Sequence, residues 1–317
     1  GTSQMLSYSI LSLQILNNLL TISDVIYCSS LEAFQGSISP ADARVHSARP
    51  HPGQILISTR IRQIMQDSEI LAGHTGCSKV QDPYSFRCAP QVHGAVYEAL
   101  MSMQETIQIE LNSTTDNPLV FPETTEGKST IISQGNFHGE VLALCADRMS
   151  LALFELGSIS ERRMDQLLDS KKSGLPPFLA VNSGLESGMM IVQYSAGSAL
   201  AEMHGHAAPR TSFSTSTSAG QEDHVSMGAT ACWNLYQSCI RLSEVLACEL
   251  VIACQGLEYN KLKPAPFVKS LHKLVRTISP KLTEDRSTSA ELLSIAKILR
   301  DGTWLSRIEA ENERLVR

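Results

Sequence analysis

The chain has 317 residues, 43% of them apolar and 18% charged, the profile of a globular protein long enough for one large domain or two smaller ones. Its 26 basic and 32 acidic side chains leave a net charge of −6, which argues against nucleic acid or an anionic membrane as partner, since both attract basic patches.

The first predicted element is a helix over residues 5–33, apolar on most faces as expected of a helix buried on several sides. Ser, Gln and Asn interrupt its first half, residues 5–20, and argue against a bilayer span. The helix follows Gly1-Thr2-Ser3 almost at once, with no Met, basic n-region or cleavage pattern, so it does not read as a signal peptide; a segment upstream of Gly1 is expected. A polar linker covers 40–52. Residues 81–92 then set two prolines, Pro83 and Pro90, around a short segment ahead of a helix whose apolar positions recur three and four apart from Val92 to Leu111. The stretch from Asn112 to Pro118 is a turn by its Asx and Pro content. A second linker lies at 122–130, and 130–132 is the one place where strand alternation is plausible.

A long helix is predicted over 137–167, with Glu161, Arg162 and Arg163 on its solvated side. Small residues and Met at 187–202 suit close helix packing. After a polar linker at 210–218, a further long helix over 223–254 is expected to carry Glu222 and Asp223 at its positive end. Shorter amphipathic helices follow at about 266–278 and 290–299. The prediction is an all-α bundle of long, largely antiparallel helices with shorter C-terminal helices, residues 1–260 forming the core and 261–317 a cap. Helices apolar on several faces imply an oligomer. Eight cysteines without a Cys-x-x-Cys pair, four of them (Cys232, Cys239, Cys248 and Cys254) in one apolar helical stretch, imply buried thiols in a reducing, cytoplasmic setting.

Three segments offer chemistry. In the first, Tyr84 and Arg87 are three apart, so one helical turn puts them on one face. Arginine grips a carboxylate bidentately, and tyrosine acts as a base near neutral pH only where cations stabilise its phenolate. An ordinary helix start with a surface ion pair fits the same residues. In the second, Gly135 and Gly139 flank Asn136, Phe137 and His138 where backbone N–H groups are free to bind anions; a capped helix with a packed Phe137 fits equally. The third is Gln221-Glu222-Asp223-His224. Here Glu222 would receive a cationic or hydrogen-bond-donating group, and simple capping by Asp223 is the alternative. A metal held by His224 with His204 and His206 is disfavoured, because there is no tight i, i+4 pair and no cysteine partner.

Taken in order, VQDPYSFRCAPQVHG at 80–94, ELNSTTDNPLVF at 110–121, GNFHGE at 135–140, ISERR at 159–163 and QEDHVSMG at 221–228 resemble the histidine ammonia-lyases. That group belongs to the aromatic amino-acid lyases and aminomutases, which use a methylidene-imidazolone electrophile. The resemblance runs from Gly1 to at least Gln255. It implies an all-α homotetramer whose active sites are assembled from several subunits, acting on a small-molecule amino-acid substrate, with L-histidine losing ammonia to give trans-urocanate. By the same resemblance Arg87 would bind the substrate carboxylate and Gln81 would support the carboxylate or the cofactor. Tyr84 would act at the reacting carbons. Phe137 would stand beside the electrophile, and Glu222, with Gln221 next to it, would contact the imidazole or take part in proton transfer. The family makes its electrophile from an Ala-Ser-Gly tripeptide, which does not occur in these 317 residues. Activity is therefore expected of a longer or complemented chain. Gln134, Val141 and Gly220 replace the Gly, Pro and Asn usual in the family. They leave open a tyrosine or phenylalanine lyase or aminomutase, and the missing tripeptide leaves open a non-catalytic helical assembly subunit.

Overall fold

A computed structural model describes residues 1–74, 81–122 and 129–317. Most of the second linker predicted at 122–130, and Cys77, lie outside the described residues. The chain is all-α as expected, with one small exception. Helix α1 is Thr2–Phe34, followed by α2 Ala43–Ser47, α3 Pro52–Ile64, α4 Glu69–Gly73, α5 Tyr84–Arg87 and α6 Ala89–Leu111. Strands β1 Leu119–Phe121 and β2 Thr130–Ile132 pair antiparallel, Leu119 opposite Ile132. Then come α7 Glu140–Leu168, α8 Ser170–Ser173, α9 Met190–Ala207, α10 Gly228–Leu257, α11 Pro266–Arg276, α12 Ser289–Asp301 and α13 Thr303–Glu311.

The long helices form one bundle whose directions can be read from their contacts. Ser9 of α1 meets Cys232 early in α10, and Ser30 late in α1 meets Glu249 late in α10, so the two run parallel. Helix α7 shares that direction, since Ser160 near its end also reaches Glu249. Helix α6 runs the other way, with His93 against Asp24 and Gln104 against Asn17. So does α9, whose Gln193 reaches Glu161 while His204 packs on Phe154.

Two charged clusters sit inside this apolar bundle. Asp24 takes Arg60 Nη1 at 2.9 Å on one oxygen and His93 Nδ1 at 2.8 Å on the other, all three side chains being buried. Arg163 holds Glu249 through two bonds of 2.5 and 2.9 Å, with both side chains at 0% exposure. Glu161 is buried as well, and only Arg162 of the triplet reaches solvent. This corrects the expectation that all three charges face water. Successive helical residues are set about 100° apart, so three in a row cannot share one side. Another buried carboxyl, Glu32, accepts from Ser68 Oγ at 2.5 Å and Ala265 N at 2.8 Å; burial pushes it up from an ordinary 4.5 to about 7.

Two further expectations need correction. By length and composition α1 does meet the requirement for a membrane-spanning helix. Every residue from 19 to 34 is buried, however, so this apolarity is used inside the bundle. Helix α10 begins at Gly228, five residues beyond Asp223, and Ser226 Oγ rather than Asp223 accepts the Gly228 N–H, at 3.2 Å. Burial raises Cys239, Cys248 and Cys254 to about 12, so these thiols are inert core residues. All seven described cysteines are free.

Candidate active site

Pro83 caps α5 in an extended conformation and Pro90 lies in the first turn of α6, so this helix lasts one turn only. One turn suffices to sort its residues. Ser85 and Phe86 face inward, and the Phe86 ring stacks on Phe34 at 4.5 Å. Tyr84 and Arg87 face outward, with Tyr84 75% exposed. The Arg87 guanidinium stands 5.6 Å over the Tyr84 ring, and its Nη1 donates to Gln81 Oε1 at 2.6 Å. Gln81, Tyr84 and Arg87 are thus brought together. Gln81 and Arg87 line a cleft of about 470 Å³ shared with Ser37, Leu71, His74 and Asp82, whereas Tyr84 is not part of its lining. Asp82 accepts the Ser37 N–H at 2.7 Å and ties the segment to the end of α1.

The other predicted residues gather elsewhere. Phe137 lies in a turn closed by His138 N donating to Gly135 O at 2.9 Å, and α7 starts only at Glu140, three residues later than predicted. The Phe137 ring is 50% exposed. Gln134 holds the base of the hairpin by donating to Asn117 Oδ1 at 2.9 Å and to Asp116 O at 2.5 Å. Beside this turn runs the 221–227 loop. His138 Nε2 lies 3.2 Å from His224 O, and the two imidazole rings are 5.6 Å apart. Glu222 is exposed and accepts from Thr217 Oγ1 at 2.5 Å, while Gln221 stands exposed at the end of the preceding turn. Both loops converge on Met5: a Cβ at Gly139 would come within 2.3 Å of its sulfur and one at Gly228 within 2.6 Å, so glycine permits the approach. His204 packs on Phe154 and His206 meets Ser238, so neither joins His224. The imidazole donors of His138 and His224 and a carboxylate oxygen of Glu140 instead lie within 4.8 Å of one another.

The two clusters occupy opposite ends of the bundle. Glu140 opens α7 next to Phe137, whereas Arg163 near its other end reaches toward Ser85 O at 3.5 Å. Those 23 residues of helix span about 35 Å at a rise of 1.5 Å each. No single copy of the chain sets Arg87 and Glu222 against one small molecule. Arg163, Glu249 and Tyr27, which hold α5 from beneath, were given no part by sequence reasoning. The available signal was a lone carboxylate, Glu249, inside the apolar run Cys248–Cys254.

The aromatic amino acid lyase family matches residues 1–277. A histidine ammonia-lyase of Deinococcus radiodurans is 43% identical over 311 residues, covering 98% of this chain and 59% of that protein. One from Myxococcus xanthus is 40% identical, again over 98% of this chain and 60% of the relative. Among solved structures, a histidine ammonia-lyase from Trypanosoma cruzi superposes with a TM-score of 0.87 at 34% identity, over 97% of this chain and 57% of that one. A tyrosine aminomutase from Streptomyces globisporus superposes with a TM-score of 0.93 at 30% identity, over 100% and 64%. The chain therefore spans about three-fifths of the length of the curated relatives it matches.

Proposed function

This chain belongs to the aromatic amino acid lyase family, and from that premise we propose that it carries the substrate-handling side chains of a histidine ammonia-lyase. The substrate is L-histidine and the product trans-urocanate: the C–N bond breaks, a β-proton leaves and a conjugated double bond forms. The observation that carries this reading is the outward face of α5, where Arg87 lies over Tyr84 and is steadied by Gln81.

Arg87 receives the substrate carboxylate through its planar fork, and Gln81 holds that fork in place. With the carboxylate fixed, the β-carbon is presented to the Tyr84 hydroxyl, which stands on the same outward face of α5. Glu222, exposed on its loop, accepts from the imidazole of the substrate. The β-proton of an amino acid is barely acidic, so an electron sink is required. In this family a methylidene-imidazolone supplies it by drawing electrons from the substrate. The residues present fit such a group. A half-exposed Phe137 ring stands beside Gly135, where a Cβ would meet nothing within 4 Å, which leaves room for a flat group against the turn. Phe137 would pack on it and Gln81 would hydrogen-bond to it; the tripeptide that forms it comes from outside these 317 residues.

Since Gln81 and Phe137 lie at opposite ends of α7, they share a site only when one copy's α5 end meets another copy's loop end. We therefore read the working form as a homo-oligomer, a tetramer as the resemblance implies. The free thiols support a reducing compartment, the cytoplasm.

The experiment is a substrate screen of the assembled protein containing the Ala-Ser-Gly segment. Urocanate from histidine supports the reading, and turnover of tyrosine or phenylalanine alone overturns it. That second outcome has one observation in its favour, the 0.93 superposition on a tyrosine aminomutase. Loss of any turnover would point to a helical assembly subunit. Arg87→Ala should raise KM for histidine roughly tenfold to a hundredfold, from the loss of hydrogen bonds to a charged group.

A further inference from the structure

Helix α5 has four residues, far too few to persist by its own hydrogen bonds, so its orientation is set by whatever grips its inner face. That grip is polar as well as apolar. Besides the Phe86–Phe34 stack, the Tyr27 hydroxyl donates to Phe86 O at 3.0 Å. Tyr27 is itself fully enclosed. The Arg163 guanidinium lies 5.4 Å from its ring centroid, and His93 meets it edge-on at 5.9 Å. Arg163 is pinned by Glu249, whose two oxygens also accept from Ser30 at 2.7 Å and Ser160 at 2.5 Å. His93 is pinned by Asp24. The phenol therefore bridges two buried charged clusters, and its one hydroxyl is spent on the backbone between Ser85 and Arg87. Burial holds that hydroxyl far above the ordinary tyrosine range, so it remains a donor at every working pH.

We propose that Tyr27 is a positioning residue: its buried hydroxyl fixes the angle at which α5 presents Arg87 to the substrate carboxylate. The proposal rests on the reading that Arg87 receives the substrate carboxylate. A merely structural Tyr27 would contribute stability and leave the presentation of Arg87 unchanged, the Phe34–Phe86 stack then being enough to aim the helix.

Tyr27→Phe tests this because it keeps the ring, its contact with His93 and its place over Arg163, and removes only the donor. In the assembled, turnover-competent protein we expect KM for histidine to rise roughly fivefold to tenfold, with kcat changed less than about twofold. The same substitution in the Arg87→Ala background should add nothing further. In the 317-residue chain itself, amide exchange at Phe86, Arg87 and Cys88, whose N–H groups bond within the turn, should quicken while exchange in α7 and α10 stays as it was. If Arg87→Ala leaves KM unchanged, the carboxylate reading fails and the inference falls with it. If Arg87→Ala raises KM while Tyr27→Phe does not, or raises it independently in the double variant, the carboxylate reading stands and the positioning role is overturned. Unaltered exchange at α5 overturns it as well.

Discussion

The two ends of the bundle are built on opposite principles. At the α5 end the backbone that bears Tyr84 and Arg87 lies on buried charge, Arg163 locked to Glu249 and Tyr27 donating to Phe86 O, with side chains at 0–1% exposure. At the loop end Phe137 and Glu222 sit on turns tied by hydrogen bonds between largely exposed groups, His138 to His224 O, and Thr217 to Glu222 through its hydroxyl and both backbone groups. Buried ion pairs add little net stability over apolar packing, yet they are directional, and losing one partner strands the other. The α5 end thus rests on a buried, directional frame, whereas the loop end leaves most of its polar groups exposed.

The sharpest way to break that contrast is to remove one charge at each end. Glu249→Ala strands Arg163 in the core and should cost about 3–5 kcal/mol of unfolding free energy. Glu222→Ala, on an exposed loop, should stay within about 0.5 kcal/mol. Urea unfolding of both variants provides the check, and equal losses would erase the distinction.

Acid–base behaviour offers the next largest effect. Glu32, at the α5 end of α1, is raised by burial from 4.5 to about 7. Between those values the folded chain binds a proton that the unfolded chain has released, so stability falls as pH rises through the window. The loss from this group is up to about 3 kcal/mol at 1.36 kcal/mol per unit. Glu32→Gln should flatten the slope of unfolding free energy between pH 4.5 and 7; an unchanged slope would assign it to other groups.

At the loop end the effects shrink. His138→Ala removes the bond to His224 O, worth about 1 kcal/mol, and should appear as faster amide exchange at Val225, whose N–H is held by Ser214 Oγ. A large fall in global stability instead would mean that this end, too, is part of the rigid frame.

The sequence was informative where one residue type recurs at helical spacing and silent where polar residues do core work. Helices α6 and α7 were legible from their apolar period. Helix α3 was missed because its buried face includes Gln54, Ser58 and Arg60, which disguise the period, and α13 because Trp304, Leu305 and Ile308 are too few to establish one. The pairing of Tyr84 with Arg87 followed from a three-residue interval. The burial of Arg163 did not, since its partner Glu249 is 86 residues away, a lone carboxylate in an otherwise apolar run. Nor does any spacing in a linear chain reveal that Arg87 and Glu222 sit at opposite ends of a helix of 29 residues.

The smallest effect separates the two ends by the kind of strain they hold. Three consecutive residues before the Glu222 loop, Ser218, Ala219 and Gly220, have positive φ, as does Met227 at its end, whereas Tyr84 to Arg87 are ordinary right-handed helix. Such conformations cost a residue with a Cβ about 1–2 kcal/mol and persist where the surroundings or a function require them. Ala219 is exposed, so Ala219→Gly sacrifices no packing. Relief of the left-handed conformation outweighs the added freedom of glycine in the unfolded chain, about 0.5–1 kcal/mol, and leaves a net gain near 0.5 kcal/mol. Thermal unfolding should therefore shift slightly upward. If the assembled protein also loses turnover, the strained turn is holding Glu222 toward its substrate. If activity is untouched, the strain belongs to the loop alone and the orientation of Glu222 is set by its bonds to Thr217.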